Sequence, residues 1–167
     1  MHETTRSKDT KAPRASYSLY TPAQRARRDA SIWTLVQGIL APLQFVAFAI
    51  STVLVLRYLA SGDGYMAATI SILIKTAFLL TIMVTGAIWE KVVFGQYLLA
   101  PAFFWEDVVS FGVIALHLAY VAVLITGALP PLGQMVLALA AYVAYAVNAA
   151  QFLRKLRLAR ISSQVAA

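Results

Sequence analysis

The chain has 167 residues, about one domain's worth. Hydrophobic side chains make up 60% and charged ones 13%, against roughly 45–50% and about 25% in soluble domains. With a mean hydropathy of +0.73, an ordinary soluble core is excluded and a membrane protein is expected. The chain has no cysteine, which excludes disulfides, thiolate metal sites, cysteine nucleophiles and cysteine-held iron–sulfur clusters.

Fourteen Lys and Arg against seven Asp and Glu give a net charge of +7, but the position of the basic residues matters more than their number. They stand at 6, 8, 11, 14, 25, 27 and 28, at 57, 75 and 91, and at 154, 155, 157 and 160. Basic clusters that flank apolar runs act as topology anchors. A nucleic-acid surface would interleave them with aromatics on a soluble face, so no nucleic-acid partner is expected.

Residues 1–29 are polar and basic and lack the apolar core of a signal peptide. Residues 1–20 are expected to be mostly disordered. Thr21-Pro22 then starts a short basic helix at the membrane surface, with Thr as N-cap and Pro at the first helical position. The first apolar stretch runs over about Ile32 to Ala60 and contains Gln37, Pro42 and Gln44. The Ser61-Gly62-Asp63-Gly64 turn leads to a second stretch, about Tyr65 to Trp89, with Lys75 inside. Residues 90–105 connect to a third stretch, about Glu106 to Leu129, which holds His117. After Pro130-Pro131 a fourth runs from about Leu132 to Leu153 and ends in Arg154-Lys155-Leu156-Arg157. Each is long enough for about 30 Å of hydrocarbon.

The expected fold is therefore all-α: a transmembrane bundle of four helices over 30–156, a basic arm with a short interfacial helix over 1–29, and a flexible tail over 157–167. With four spans both termini share one side. The arm, Lys91 and the tail put twelve basic residues there, and only Arg57 lies near the other face. By the positive-inside rule that side is cytoplasmic.

Ionisable groups within spans are costly and are functional candidates by default. They are Lys75, Glu90, Glu106, Asp107 and His117, with the amides Gln37, Gln44, Asn148 and Gln151. Most of this polarity falls in the cytoplasmic half of all four helices, and the outer half reads as almost purely apolar. That asymmetry suggests a cavity open to the cytoplasmic leaflet. Each residue also has a plainer reading. His117 suits an interhelical hydrogen bond as well as a metal or macrocycle. Glu106 and Asp107 suit a solvated first turn on the helix dipole. Glu90 suits interfacial charge. Lys75 lies too deep to snorkel and needs a partner, with no acid at its depth. Nucleotide, flavin, zinc-protease and serine-hydrolase motifs are absent, which disfavours redox chemistry. What remains is proton transfer, hydration or isomerisation run by one or two carboxyls and a water.

Four segments resemble the 3-vinyl (bacterio)chlorophyllide hydratase family of phototrophic bacteria. They are Leu19 through Trp33 (LYTPAQRARRDASIW), Lys75 with Thr85 through Gly95 (TGAIWEKVVFG), Ala100 through Asp107 (APAFFWED), and Asn148 through Leu153 (NAAQFL). The likeness covers roughly 19–157. It implies addition of water across the C3 vinyl group of a chlorophyllide-type macrocycle, giving the 3-(1-hydroxyethyl) group in bacteriochlorophyll biosynthesis. It implies no cofactor, because the reaction is redox-neutral and the substrate carries its own magnesium. It also implies a photosynthetic or cytoplasmic membrane, a lipid bilayer around the chain and other bacteriochlorophyll-synthesis enzymes as neighbours. On that chemistry Glu106 is the first candidate for general acid, with Asp107 or Glu90 holding the water. Gln37, Gln44, Asn148 and Gln151 would orient water or macrocycle carbonyls, His117 would reach the substrate's magnesium or a ring substituent, and Lys75 a carboxylate or carbonyl. Trp33, Trp89, Trp105, Phe103 and Phe104 would stack on the ring or anchor the interface. The competing reading is a pigment carrier or assembly subunit, which would need His117 and the aromatics but not the carboxyls. A transporter is third, with few acidic residues and no paired broken helices to support it.

Overall fold

A computed structural model describes the backbone of residues 19–165 and the side chains of 19–160. The disorder expected for 1–18 lies outside the described residues. Five helices follow in order: α1 Pro22–Ala30, α2 Ile32–Ser61, α3 Tyr65–Phe94, α4 Phe104–Thr126 and α5 Pro131–Val165. The last four are each long and apolar enough to cross a membrane. The all-α fold with four spans therefore holds.

Local chemistry sets the boundaries. Thr21 caps α1 in a reciprocal box: its hydroxyl accepts from the Gln24 N–H at 3.3 Å, and the Gln24 side chain accepts from the Thr21 N–H at 2.8 Å. Pro22 then starts the helix where a missing N–H does no harm. Ser31 ends α1 in extended backbone and caps α2 by accepting from the Trp33 N–H. The two helices are thus separated by one residue. Pro42 sits inside α2 without ending it, as spans tolerate where neighbouring helices re-satisfy the backbone. Gly62 (φ 78°), Gly64 (φ 88°), Gly95 (φ 90°) and Gly127 (φ 65°) supply the left-handed backbone that stops or starts helices.

Two boundaries differ from expectation. Leu19 and Tyr20 do not belong to a disordered arm: Tyr20 is buried, stacks on Phe94 at 5.8 Å and lies under the Arg28 guanidinium. At the other end α5 runs on through Val165, into the stretch expected to be a tail from 157. Residues 151–165 are rich in Leu, Arg and Gln and contain no Gly or Pro to break the helix.

The helices form two antiparallel hairpins, α2–α3 and α4–α5, each packed along its length. Between hairpins the contact is sparser, α2 against α5 and α3 against α4. At the hairpin-turn end all four helices meet around Val55, Ala68, Ile72, Tyr120, Met135, Ala138, Ala141 and Tyr142. This half is less purely apolar than expected. Ser51 bonds both Ser71 (2.8 Å) and Tyr142 (2.5 Å), and the Tyr65 hydroxyl donates to Gln134 at 2.6 Å. The reading of polarity from charges and amides had passed over these hydroxyls, which bury well once paired. At the opposite end, with α1 and the start of α2, an aromatic cluster of Tyr20, Val93 and Phe103 is flanked by Trp89, Phe94 and Phe152.

Candidate active site

The carboxyls gather under the aromatic cluster, at the end of the bundle that carries α1. Glu90 lies in the last turns of α3, and Glu106 and Asp107 in the first turn of α4. All three are buried. The connection 95–103 folds back over them and is held by two backbone donors: the Leu99 N–H donates to Asp107 Oδ2 at 2.7 Å, and the Ala100 N–H to Glu90 Oε2 at 3.1 Å. The Glu90 and Asp107 carboxyls face each other within reach of a shared hydrogen bond. Ionised carboxylates only accept, so such a bond requires one proton between the two.

Glu106 has a different environment. Its Oε2 accepts from Lys155 Nζ of α5 at 2.5 Å, and that ammonium also lies 5.2 Å from the Phe103 ring. Glu106 therefore joins α4 to α5 as an ion pair, and Asp107 one residue on turns toward α3. Neighbouring residues on a helix point about 100° apart, which is why adjacent acids acquire separate partners.

Holding the connection in this path requires Leu99 to adopt φ 60°, the one left-handed non-glycine among the described residues. That conformation costs an L-residue about 1–2 kcal/mol. Leu99→Gly relieves it, offset in part by a more flexible unfolded chain. The expected net gain is about 0.5–1 kcal/mol, read as a higher melting temperature in detergent. A lower melting temperature would show that the leucine side chain contributes more by packing than its backbone costs.

Of the amides, Asn148, Gln37 and Gln44 sit deeper than the carboxyls. Asn148 of α5 donates through Nδ2 to Ser110 Oγ at 2.7 Å, and Ser110 in turn donates to the Glu106 carbonyl at 2.8 Å. The oxygens Asn148 Oδ1 and Gln151 Oε1 are enclosed without a partner. Gln37 bridges α2 to α3 by donating to Thr85 Oγ1 at 2.8 Å. Gln44, one heptad further, is buried on the inner face of α2.

Lys75 and His117 form a separate centre, about fifteen residues or 22 Å along α3 from Glu90. Both are almost completely enclosed, at 0% and 1% exposure. Lys75 Nζ donates to His117 Nε2 at 2.5 Å, and His117 Nδ1 donates to the Val113 carbonyl at 2.7 Å. Lys75 Nζ also lies 4.1 Å from the Tyr145 ring centre. Both ring nitrogens are engaged, so in this arrangement His117 offers none to a magnesium ion. Lys75 finds the partner it needs in a neutral imidazole rather than in an acid.

The aromatics divide. Trp89 and Phe103 belong to the buried cluster over the carboxyls, where Trp89 donates to Thr34 Oγ1 at 2.9 Å. Trp105 is 70% exposed, and Phe104 stands beside it on the same outward side. Those two suit the interface with lipid, not the site. Phe152, which stacks on Phe103 at 5.9 Å, was missed because one phenylalanine in an apolar span carries no signal. Its place two positions before Arg154, where the fourth apolar stretch ends, was the available hint.

The chain matches the model of the 2-vinyl bacteriochlorophyllide hydratase (BCHF) family over residues 20–158. It is 72% identical over 149 residues to the 2-vinyl bacteriochlorophyllide hydratase of Cereibacter sphaeroides, covering 89% of this chain and 92% of that protein. With the protein of the same name from Rhodobacter capsulatus it shares 70% identity over 146 residues, 87% of this chain and 85% of the other. No solved structure matches it. The matched region takes in α1, all four spans and every carboxyl, amide and aromatic of the site, and the chain belongs to the 2-vinyl bacteriochlorophyllide hydratase family.

Proposed function

We propose that the chain hydrates the vinyl group of a chlorophyllide-type macrocycle and that the facing Glu90 and Asp107 carboxyls run the proton transfers. Their juxtaposition in a family named for this hydration carries the reading. One carboxylic acid gives its proton to the terminal vinyl carbon. The π electrons form the new C–H bond, and the cation is left on the carbon attached to the ring, where the macrocycle delocalises it. A water oxygen bonds to that carbon, and the proton it sheds returns to the carboxylate. Only water is consumed, and no electrons are exchanged with a second reactant. This order gives the 1-hydroxyethyl product rather than the 2-hydroxyethyl one.

The arrangement of the bundle supports the same reading. Contact between the two hairpins is sparser than within them, which suits entry of a flat, greasy substrate from the bilayer. The buried Phe103 and the half-buried Trp89 and Phe152 packed against it cluster at the same end of the bundle. The basic residues at the same end support a site facing the cytoplasmic leaflet, by the positive-inside rule. Glu106 serves as a structural ion pair, so Glu106→Gln should keep turnover within a few-fold.

The test uses membranes from a non-phototrophic host that expresses the chain alone, supplied with the vinyl pigment in ordinary and in heavy-oxygen water. The expected product is heavier by one water, with the label at the new hydroxyl. Pigment that binds and is recovered unchanged would sink the hydratase reading and favour a carrier. If Glu106→Gln abolishes the labelled product, the acid assignment is wrong.

A further inference from the structure

We propose that Asn148 and Gln151 hold the attacking water and thereby decide which face of the cation receives the hydroxyl. This rests on the hydratase reading above. The two residues are three apart on α5, so their side chains share a face. Asn148 is 7% exposed. The orientation of its amide follows from its neighbour. Ser110 uses its single proton on the Glu106 carbonyl, so it can only accept from Asn148. Asn148 must therefore present its NH₂ to Ser110 and turn Oδ1 away. That oxygen and Gln151 Oε1 are fully enclosed with no donor in reach. Enclosed acceptors of this kind are costly unless something donates to them.

The register between the helices locates them. Lys155 meets Glu106 and Asn148 meets Ser110 across the α4–α5 contact. Gln151 lies between those rungs and so falls at the level of Asp107. Two enclosed acceptor oxygens, one at the level of Asp107 and one about a turn deeper, select a ligand with two donors. Macrocycle carbonyls are acceptors and cannot satisfy them. Water can: it gives one O–H to each amide and keeps a lone pair for the carbon. Bonding its oxygen to the cationic carbon gives an oxonium, which turns one O–H from its amide to the carboxylate left by the first step and loses that proton there, so that only an O–H bond is broken. Because the amides stand on one helix, the water approaches from one side, and a single carbinol configuration results. Asn148 and Gln151 are thus positioning residues, and the carboxyls do the proton chemistry.

The experiment uses the full chain in membranes, with turnover in heavy water (D₂O) as solvent. Three quantities are read: hydration rate, deuterium in the terminal CH₂ of recovered vinyl substrate, and the configuration of the carbinol. Gln151→Met removes the acceptor at nearly constant volume, and Asn148→Leu is the second variant. Loss of one hydrogen bond to the water should slow hydration roughly tenfold. Protonation of the vinyl group survives, so the stranded cation reverts more often. Deuterium per turnover should therefore rise, and the product should become a mixture of configurations. A purely structural role would lower exchange and hydration together and leave the configuration unchanged, which would overturn the assignment. Unchanged hydration in both variants would overturn it as well. If the unmodified chain shows neither hydration nor exchange, the hydratase reading fails and takes this one with it.

Discussion

Asp107→Asn and Glu90→Gln should each lower hydration by on the order of 10²–10⁴-fold, the usual contribution of a positioned acid or base. The expectation depends on what these substitutions preserve. Asn and Gln keep a carbonyl oxygen in nearly the same place, so the Leu99 and Ala100 amides still have an acceptor and the 95–103 connection stays in position. What disappears is the exchangeable carboxyl proton and its conjugate base. Pigment should still bind to either variant, and neither should take up deuterium at the vinyl terminus. Alanine at the same positions would be harder to interpret, because it also releases the connection. The comparison with Glu106→Gln gives the contrast: three acids lie within one buried cluster, but only one of them has an ammonium partner. Retention of more than a fifth of wild-type turnover in both Asp107→Asn and Glu90→Gln would remove the pair from the mechanism.

His117→Leu should destabilise the bundle by at least about 1–3 kcal/mol, since it leaves the fully enclosed Lys75 amine without its acceptor. Lys75→Met alone should cost a similar amount for the converse reason, an imidazole nitrogen left unpaired. The double variant Lys75→Met/His117→Leu removes both polar groups together and should come close to wild-type stability, because replacing both partners with apolar groups can be nearly neutral. Tyr142 and Tyr145, which flank the pair, remain to pack against the new side chains. A double-mutant cycle on thermal unfolding in detergent measures the coupling directly. Additive losses would show that the two residues do not act as a pair. Turnover in the double variant adds a second reading: the centre is about 22 Å from Glu90 along the helix, so hydration should persist wherever the protein folds.

The fold was legible because the features that define it are local. Four long apolar runs, the glycines that punctuate them and the Thr21-Pro22 start each depend on a few adjacent residues, and apart from the far end of α5 the helices begin and end within about five positions of where these predict. Tyr20 was harder to read. Its burial depends on Phe94, more than seventy positions away, and a polar arm gives no hint of that contact. The extension of α5 was readable from helix formers, but basic composition argued for a tail and outweighed them.

The candidate site was legible as an inventory and not as an arrangement. Composition and span depth alone identify Glu90, Glu106, Asp107, Asn148, Gln151, Lys75 and His117 as the groups whose burial in a membrane needs a reason. The partners depend on distances that no spacing in one sequence encodes. Glu106 and Asp107 are adjacent acids on one turn, and only the packing of α5 against α4 assigns Lys155 to the first, as only α3 brings Glu90 to the second. Lys75 and His117 lie 42 positions apart and meet because α3 and α4 stand side by side in the bundle. Membrane class, helix count and the list of costly polar groups follow from the hydropathy and chemistry of each residue and its near neighbours. Which acid is neutralised by a cation and which faces another acid follows from helix register across the bundle, a property of packing that the linear order of residues does not contain.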